Sequence, residues 1–298
     1  MVDGNSIAVA LLNGMANGML LFLAAVGLTL IFGVLGVLNF AHGSLYMLGA
    51  YFTFFLVNAG GPLAFFNGNF WLAVLVAPVL VAVIGGLMER FIIRPIYERD
   101  HVFQLLLTFA LVLVIDNAAR ILWGTDFRSI SVPRAFAFQV PLFGSNYPAY
   151  NLFLIVVGVA FAGAMWLVFE RTRVGKTVRA AAQDRDVANA LGVNVPALFT
   201  AMFVTGSVLA AVGGALAAPY QTIQPTMGEN IIINSFIVVV IGGLGSFAGA
   251  FVGALLIGVV NSLAFLFAPA LQPVIPFVLM AVVLLSMPVG LFGKEVAA

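Results

Sequence analysis

No cysteine occurs among the 298 residues. Disulfides and thiol chemistry are therefore excluded, and cysteine usage gives no information about the compartment. Charge is also scarce, because Asp, Glu, Lys and Arg make up 8% of the residues, whereas a soluble domain normally carries about 25%. The net charge of +1 leaves no basic excess, so we expect no nucleic-acid partner. A water-soluble protein is thus excluded.

Apolar residues make up 63% of the chain and recur in runs of about 20 residues, long enough to cross a ~30 Å hydrocarbon layer. Backbone groups in lipid must be bonded within their own segment, which favours helices. A membrane barrel would alternate polar and apolar residues, and these runs are apolar on all sides. We predict a single all-α polytopic membrane domain over 1–298, with eight or nine spans and some broken or half-length helices. The predicted helices are 7–33, 37–58, 70–91, 102–123, 149–169, 197–218, 230–244, 246–267 and 273–292, of which 230–244 is short enough to be a half-helix.

Basic residues cluster in two loops. The positive-inside rule predicts that both loops lie in the cytoplasm. The N-terminus and the loop 124–150 are then predicted on the periplasmic side. The two clusters are Arg90, Arg94 and Arg99, and Arg171, Arg173, Lys176, Arg179 and Arg185.

Two polar, glycine-containing stretches interrupt the apolar runs: "GVLGVLNFAHGS" and, at residues 238–260, "VVVIGGLGSFAGAFVGALLIGVV". Each places Gly-Ser at the start of a new helix, where Ser can cap and free N–H groups carry partial positive charge. Irregular backbone at membrane depth persists only where it is buried or lines a wet cavity. Broken helices therefore favour a translocation path, and close helix packing is the alternative. The predicted path residues are Asn39, His42, Gly43, Ser44, Gly242, Gly243, Gly245 and Ser246.

We single out three ionisable side chains within the predicted spans: His42, Asp116 and Arg120. His42 either joins two helices by a hydrogen bond or relays protons. A lone His without a chain of acids favours the hydrogen bond. Asp116 and Arg120 are four residues apart and share a helix face, which predicts a structural ion pair near the membrane surface, with an intramembrane functional pair as the alternative.

The most hydrophilic stretch covers residues 170–199. Its apolar residues recur at helical spacing, which predicts one short amphipathic helix parallel to the membrane, ending at Gly192. Its small alanines suit docking into a groove of a cytoplasmic partner, so we predict a coupling segment at about 170–195. No G-x-x-x-x-G-K-[ST] pattern occurs, so this chain is not expected to bind ATP by a P-loop. The predicted coupling residues are Gly175, Arg179, Ala182, Asp184, Ala188 and Gly192, with the two glycines as hinges.

Four stretches carry a family resemblance: "GLTLIFGVLGVLNFAHGSLYMLGAY", "RPIYERD", "GKTVRAAAQDRDVANALGVNV" and the glycine-rich block at 238–260. From about Gly14 to Gly293 the chain resembles the inner-membrane permease of branched-chain amino-acid ABC importers, H-subunit type. The first and last blocks are specific to that family. The third is similar to the coupling segment of importer permeases, with the pattern A-x-D-x-x-x-A-x-x-x-G running from Ala182 to Gly192.

The resemblance implies a transport subunit, not an enzyme, in the bacterial inner (plasma) membrane. It implies a related second permease, two cytoplasmic ATPase subunits that hold ATP and Mg, and a periplasmic substrate-binding protein. No cofactor or metal is expected in this chain. The implied mechanism is alternating access, in which the ATPase subunits push the coupling helix.

Alternatives stay open for the transported solute and for the energy source. Similar sequences serve branched-chain amino acids, other amino acids, urea and other amides, or aromatic compounds. An ion-coupled secondary transporter fits the broken helices, although the spans offer few acids to bind an ion. A channel with a glycine-rich filter is a further alternative, but it does not explain the amphipathic helix.

Overall fold

The computed structural model describes residues 4–293, within which eleven α-helices are joined by short connections. Six segments are long and apolar enough to cross a membrane: Gly4–Leu35, Phe70–Ile96, His101–Trp123, Ala149–Arg171, Val195–Ala217 and Phe247–Phe267. The prediction of an all-α polytopic membrane protein is confirmed. The helices are α1 (Gly4–Leu35), α2 (His42–Val57), α3 (Phe70–Met88), α4 (His101–Trp123), α5 (Ala149–Trp166), α6 (Arg173–Gln183), α7 (Arg185–Ala190), α8 (Val195–Ala217), α9 (Met227–Gly242), α10 (Phe247–Phe267) and α11 (Ile275–Ser286).

Three apolar helices are shorter than a full crossing. α2 and α9 have 16 residues each and α11 has 12, and at ~1.5 Å per residue none reaches ~30 Å. The sequence left open whether 230–244 crosses fully, and the 16 residues of α9 correspond to the half-helix alternative. The full-length helices predicted at 37–58 and 273–292 are wrong. α11 ends at Ser286 because Pro288 cannot donate to a helix, and the chain turns back so that Leu291 N donates to Ile241 O at 2.8 Å.

α1 lies at the centre of the bundle. Its 32 residues extend over about 48 Å at ~1.5 Å per residue, and it is buried almost continuously from Met19 to Ile31. α10 packs closely against it, because Gly14 and Gly258 each leave no room for a Cβ beside the other helix. Small residues let membrane helices approach in this way. The outer surfaces of α3 and α4 expose apolar side chains suited to lipid, including Leu75, Val79, Val83, Leu106, Phe109 and Val114.

The two basic loops lie together at one end of the bundle, which we call the basic face. Arg94 Nη2 donates to Pro196 O at 3.3 Å, and the Tyr97 ring packs against Phe199 at 5.9 Å. The loop between α4 and α5 lies at the opposite face. It contains an antiparallel hairpin of β1 (Gln139–Leu142) and β2 (Ser145–Pro148), which was not predicted. The positive φ angles of Phe143 and Gly144, 49° and 70°, form its two-residue turn.

Candidate translocation site

Residues 36–41 carry the chain from the basic face back into the middle of the bundle. Leu35 O, at the end of α1, accepts a 2.8 Å hydrogen bond from Arg185 on the basic face. His42 Nε2 lies 2.9 Å from Ala24 O. Ala24 precedes Leu35 by eleven helical residues, or about 16 Å at ~1.5 Å per residue. α2 therefore begins roughly halfway through the bundle, and His42 makes the interhelical contact predicted for it.

Residues 218–226 enter the bundle from the opposite face. Gly206 of α8 faces Gly27 of α1 beside the His42 ring, so α8 is at the depth of His42 there. α8 then continues to Ala217. The chain then turns back, and α9 starts with its first turn against the first turn of α2. Gly43 and Gly228 touch backbone to backbone, so neither position has room for a Cβ. Two half-helices thus begin in contact at mid-depth and run to opposite faces, an arrangement we call the half-helix contact.

The sequence placed Gly43-Ser44 and Gly245-Ser246 each at the start of a new helix. In the structure Gly43 lies in the first turn of α2 and contacts Gly228 of α9. Ser246 does cap α10, accepting from Gly249 N at 3.1 Å. Ser44 does not cap α2, because it is the third residue of the helix.

Ser44 instead donates to Asp116 Oδ1 at 2.8 Å. Asp116 is buried, its Oδ2 has no hydrogen-bond partner among the described residues, and Arg120 is exposed. The predicted ion pair between Asp116 and Arg120 is therefore wrong. A carboxylate beside a helix N-terminus is favoured by the helix dipole, which explains why Asp116 lies at the start of α2.

The second glycine stretch lies elsewhere, at the basic-face end of α1. Gly245 packs near Gly33, and Gly243 lies against Gly293, with no room for a Cβ at Gly243. Gly242 packs in the same way on Gly249 of α10. These contacts fit the packing alternative, and a role of these glycines in a path stays a prediction.

Asn39 lies between the basic face and the half-helix contact. It is fully buried, and neither atom of its amide has a partner among residues 4–293. Burying an unbonded polar group costs about 1–3 kcal/mol. Because this polar side chain is unsatisfied at a chain break inside the membrane bundle, we infer that water reaches it in another conformational state of the protein.

A cavity of about 210 Å³ opens on the other side of the half-helix contact. None of the eight predicted path residues lines it. Its wall comes from α1, α2, the 218–226 segment, α9 and α10. The signal that sequence reading missed is the recurrence of Asn in apolar helices, at Asn230 and Asn234 above all. The polar lining residues are Asn17, Tyr46, Gln221, Thr222, Gln224, Asn230, Asn234 and Asn261, and the apolar ones include Leu20, Leu21, Met227 and Ile231.

The predicted coupling segment contains two helices, α6 and α7, so the prediction of one helix is wrong. Asp184 separates them by capping α7, since its Oδ1 accepts from Asp186 N at 3.0 Å and Val187 N at 2.9 Å. Gly192 follows α7 with φ +87°, as predicted for a helix stop. Gly175 lies inside the first turn of α6 and packs on the Phe169 carbonyl without room for a Cβ.

The apolar residues of this segment do not share one buried face. Val178, Ala181 and Ala188 are buried, whereas Ala182 is exposed and Leu191 is 79% exposed. The single apolar face predicted from the spacing is therefore wrong. Val187 on α7 is also 55% exposed. Val187 and Leu191 are one helical turn apart and present apolar surface away from the bundle. The Arg179 guanidinium forms an ion pair with the Glu170 carboxylate at 3.4 Å.

Arg185 links the coupling segment to the broken helix; the sequence placed it in a basic cluster but not among the predicted coupling residues. Besides its bond to Leu35 O, its guanidinium lies over the Phe199 ring at 4.9 Å. A cation at a helix C-terminus satisfies carbonyls that have no partner within the helix. Arg185 thus connects α7 to the end of α1, next to the break.

A second anchor holds the loop after α3 to α8. Glu89 is fully buried and accepts two hydrogen bonds from Arg94, at 3.1 and 3.0 Å, and one from the Tyr97 hydroxyl at 2.8 Å. Arg94 also donates to Thr200 on α8. Burial and then the bond to Glu89 raise the pKa of Tyr97.

The family model described as branched-chain amino acid transport system / permease component matches residues 10–284. The chain belongs to this family. The match includes α2 to α10 in full and most of α1 and α11, so the half-helix contact, the cavity and the coupling segment all lie within the permease component.

Two relatives align with this permease almost end to end. It is 29% identical to the high-affinity branched-chain amino acid transport system permease protein LivH of Escherichia coli, over 95% of this chain and 94% of the relative. It is 31% identical to the corresponding protein BraD of Pseudomonas aeruginosa, over 95% of each. A shorter similarity, 34% identity over 127 residues, joins it to a fructose import permease of Rhizobium meliloti and covers 39% of this chain. No solved structure matches.

Proposed function

We propose that this permease moves amino acids with branched aliphatic side chains across the inner membrane, as a subunit of an ATP-driven importer. The observation that carries the proposal is the full-length alignment with permeases named for branched-chain amino-acid transport. The basic face is proposed to be cytoplasmic, following the positive-inside rule. The mouth of the cavity then faces the periplasm, where a substrate-binding protein would deliver cargo.

Partner subunits complete the proposed machine. The exposed Val187 and Leu191 on the basic face support docking of one ATPase subunit, one of the two on which ATP and Mg would be bound. Carboxamides such as Asn230 are exposed at membrane depth, where lipid cannot satisfy them. Their exposure supports a second, related permease that covers the open side of the cavity.

Uptake into vesicles tests the proposal. The permease is reconstituted with its second permease, its ATPase subunits and its binding protein, and labelled leucine uptake is measured with ATP. We expect uptake that requires ATP and persists when ionophores collapse proton and sodium gradients. Uptake that follows an ion gradient and ignores ATP would contradict the proposal and favour an ion-coupled transporter with Asp116 as its site. Competition by aromatic amino acids and urea identifies the cargo.

A further inference from the structure

The cavity wall has two chemically distinct parts. One part carries six carboxamide side chains, and none of the lining residues within 4–293 is charged. The amides are Asn17, Gln221, Gln224, Asn230, Asn234 and Asn261. The other part is aliphatic, formed mainly by Leu20, Leu21, Met227 and Ile231. The volume of about 210 Å³ suits one small solute, since drug-sized pockets take ~300–1,000 Å³.

Several of the amides are held in place while leaving hydrogen-bonding capacity free. Gln221 Nε2 donates to the Tyr46 hydroxyl at 3.1 Å, and Asn234 Nδ2 donates to Asn230 O at 3.0 Å. Each amide carries both donors and an acceptor, so one bond does not exhaust it. Asn261 Oδ1 is buried and has no partner within residues 4–293. This oxygen, on a cavity wall, is available to a donor from a ligand.

A wall of neutral amides selects a particular charge state. A net charge buried in a low-dielectric site without a counter-charge is costly. A zwitterion brings equal charges of both signs, and its carboxylate and ammonium groups can be met by amide donors and acceptors respectively. The aliphatic wall removes apolar area of the solute from water, which is worth about 25 cal/mol per Å².

From this division of the wall we infer that the cavity is a binding site for net-neutral, dipolar amino acids with aliphatic side chains, and that it excludes acidic and basic ones. The inference rests on the proposed function and deepens it. Tyr46 of α2 and Met227 of α9, which lie beside the half-helix contact, line this site, so we expect a bound solute to wait there until α2 and α9 separate. Selectivity for neutral cargo is thereby built into the permease itself, in addition to any binding protein.

The absence of cysteine from the chain allows a direct test. Thr222 lines the cavity and is exposed, and Thr222→Cys replaces its hydroxyl with a thiol and removes one methyl group. In the reconstituted complex, labelling of this subunit by a small methanethiosulfonate reagent is followed with leucine, lysine or glutamate present. Leucine is expected to slow labelling at least fivefold, and lysine and glutamate to have little effect. Ser131→Cys, exposed in the loop before the hairpin at the same face, is the control and should label equally in all cases.

Two results would overturn the inference. One is labelling of Thr222→Cys that leucine does not slow. The other is equal protection by lysine, which would make Glu229, in the first turn of α9, part of a cation site. Uptake by the unmodified complex tests the proposed function separately. If that complex takes up leucine with ATP, the proposed function stands whatever the labelling shows. If it does not, the proposed function is contradicted.

A filling substitution gives a second readout. Ile231→Phe occupies the aliphatic wall and should reduce leucine uptake at least tenfold. Ile233→Phe is the matched control, because Ile233 lies on the same helix with 45% of its side chain exposed and does not line the cavity. Equal uptake by the two variants, at equal amounts of assembled complex, would contradict the assigned site.

Discussion

At the residue scale, two positions at mid-depth, where the half-helices meet, require glycine. Gly43 and Gly228 touch through their backbones, with no space for a methyl group at either. The sequence showed that Gly43 lies in a helix break, but it could not identify Gly228 as its neighbour, because 185 residues separate them and no local pattern records the contact. Asp116 illustrates the same limit. Its helical neighbour Arg120 was the obvious partner by spacing, and tertiary packing gave it Ser44 instead.

Replacing Gly43 with Ala tests the closeness of this contact. The added methyl must force α2 and α9 apart, and overpacking of this kind costs about 1–3 kcal/mol. We expect a lower thermal midpoint of the purified permease and loss of uptake. Gly163→Ala is the control, since nothing lies within 4 Å of a Cβ there, and Ala in a helix should stabilise by about 0.5–1 kcal/mol. Equal behaviour of the two variants would contradict the contact.

Arg185 is expected to act as a positioning residue between α7 and the end of α1. Arg185→Gln removes the charge that holds Leu35 O, so we expect the number of leucine molecules moved per ATP to fall on the order of tenfold, within the range of measured coupling effects. ATP hydrolysis should continue. Arg185→Lys keeps the charge without the planar fork and should restore part of the ratio. Arg173→Gln, at an exposed position of α6, should leave the ratio unchanged; an unchanged ratio in Arg185→Gln as well would exclude this role.

At the scale of elements, long apolar runs were easy to predict and interruptions were not. The helices predicted at 102–123 and 246–267 agree with α4 and α10 within one residue, because continuous hydrophobicity and clear end signals define them. α2 starts at His42, five residues later than predicted, because residues 36–41 carry the chain back to mid-depth. α9 starts at Met227, three residues earlier than predicted. The apolar composition of residues 36–41 resembles that of a helix, and only the surrounding bundle stabilises this stretch as irregular chain.

The division between α6 and α7 depends on one cap. Asp184→Ala removes an N-cap that is worth about 1 kcal/mol, so α7 should fray and uptake should fall while the membrane bundle keeps its thermal midpoint. Asp186→Ala is the control within the same first turn, because only its backbone N–H takes part in the cap. Normal uptake by Asp184→Ala would remove the basis for a docking role of α7.

The whole molecule has a cavity on one side of the half-helix contact and a buried, unbonded Asn39 on the other. The amide cavity was not predicted, since its walls come from five separate parts of the chain that only the fold brings together. We interpret the half-helix contact as the closed point of a passage whose upper part is the cavity. In this interpretation residues 36–41 form the lower part, and α7 opens the passage through Arg185.

Accessibility of Asn39 tests this interpretation most directly. Asn39→Cys would be the only cysteine of the permease, and its labelling by a small thiol reagent can be timed in the assembled complex without nucleotide and during ATP turnover. We expect slow labelling at rest, because the position is fully buried, and labelling at least tenfold faster when ATP and loaded binding protein are supplied. A slow rate that is the same in every state, with Ser131→Cys labelling readily in parallel, would show that the passage does not run through the half-helix contact.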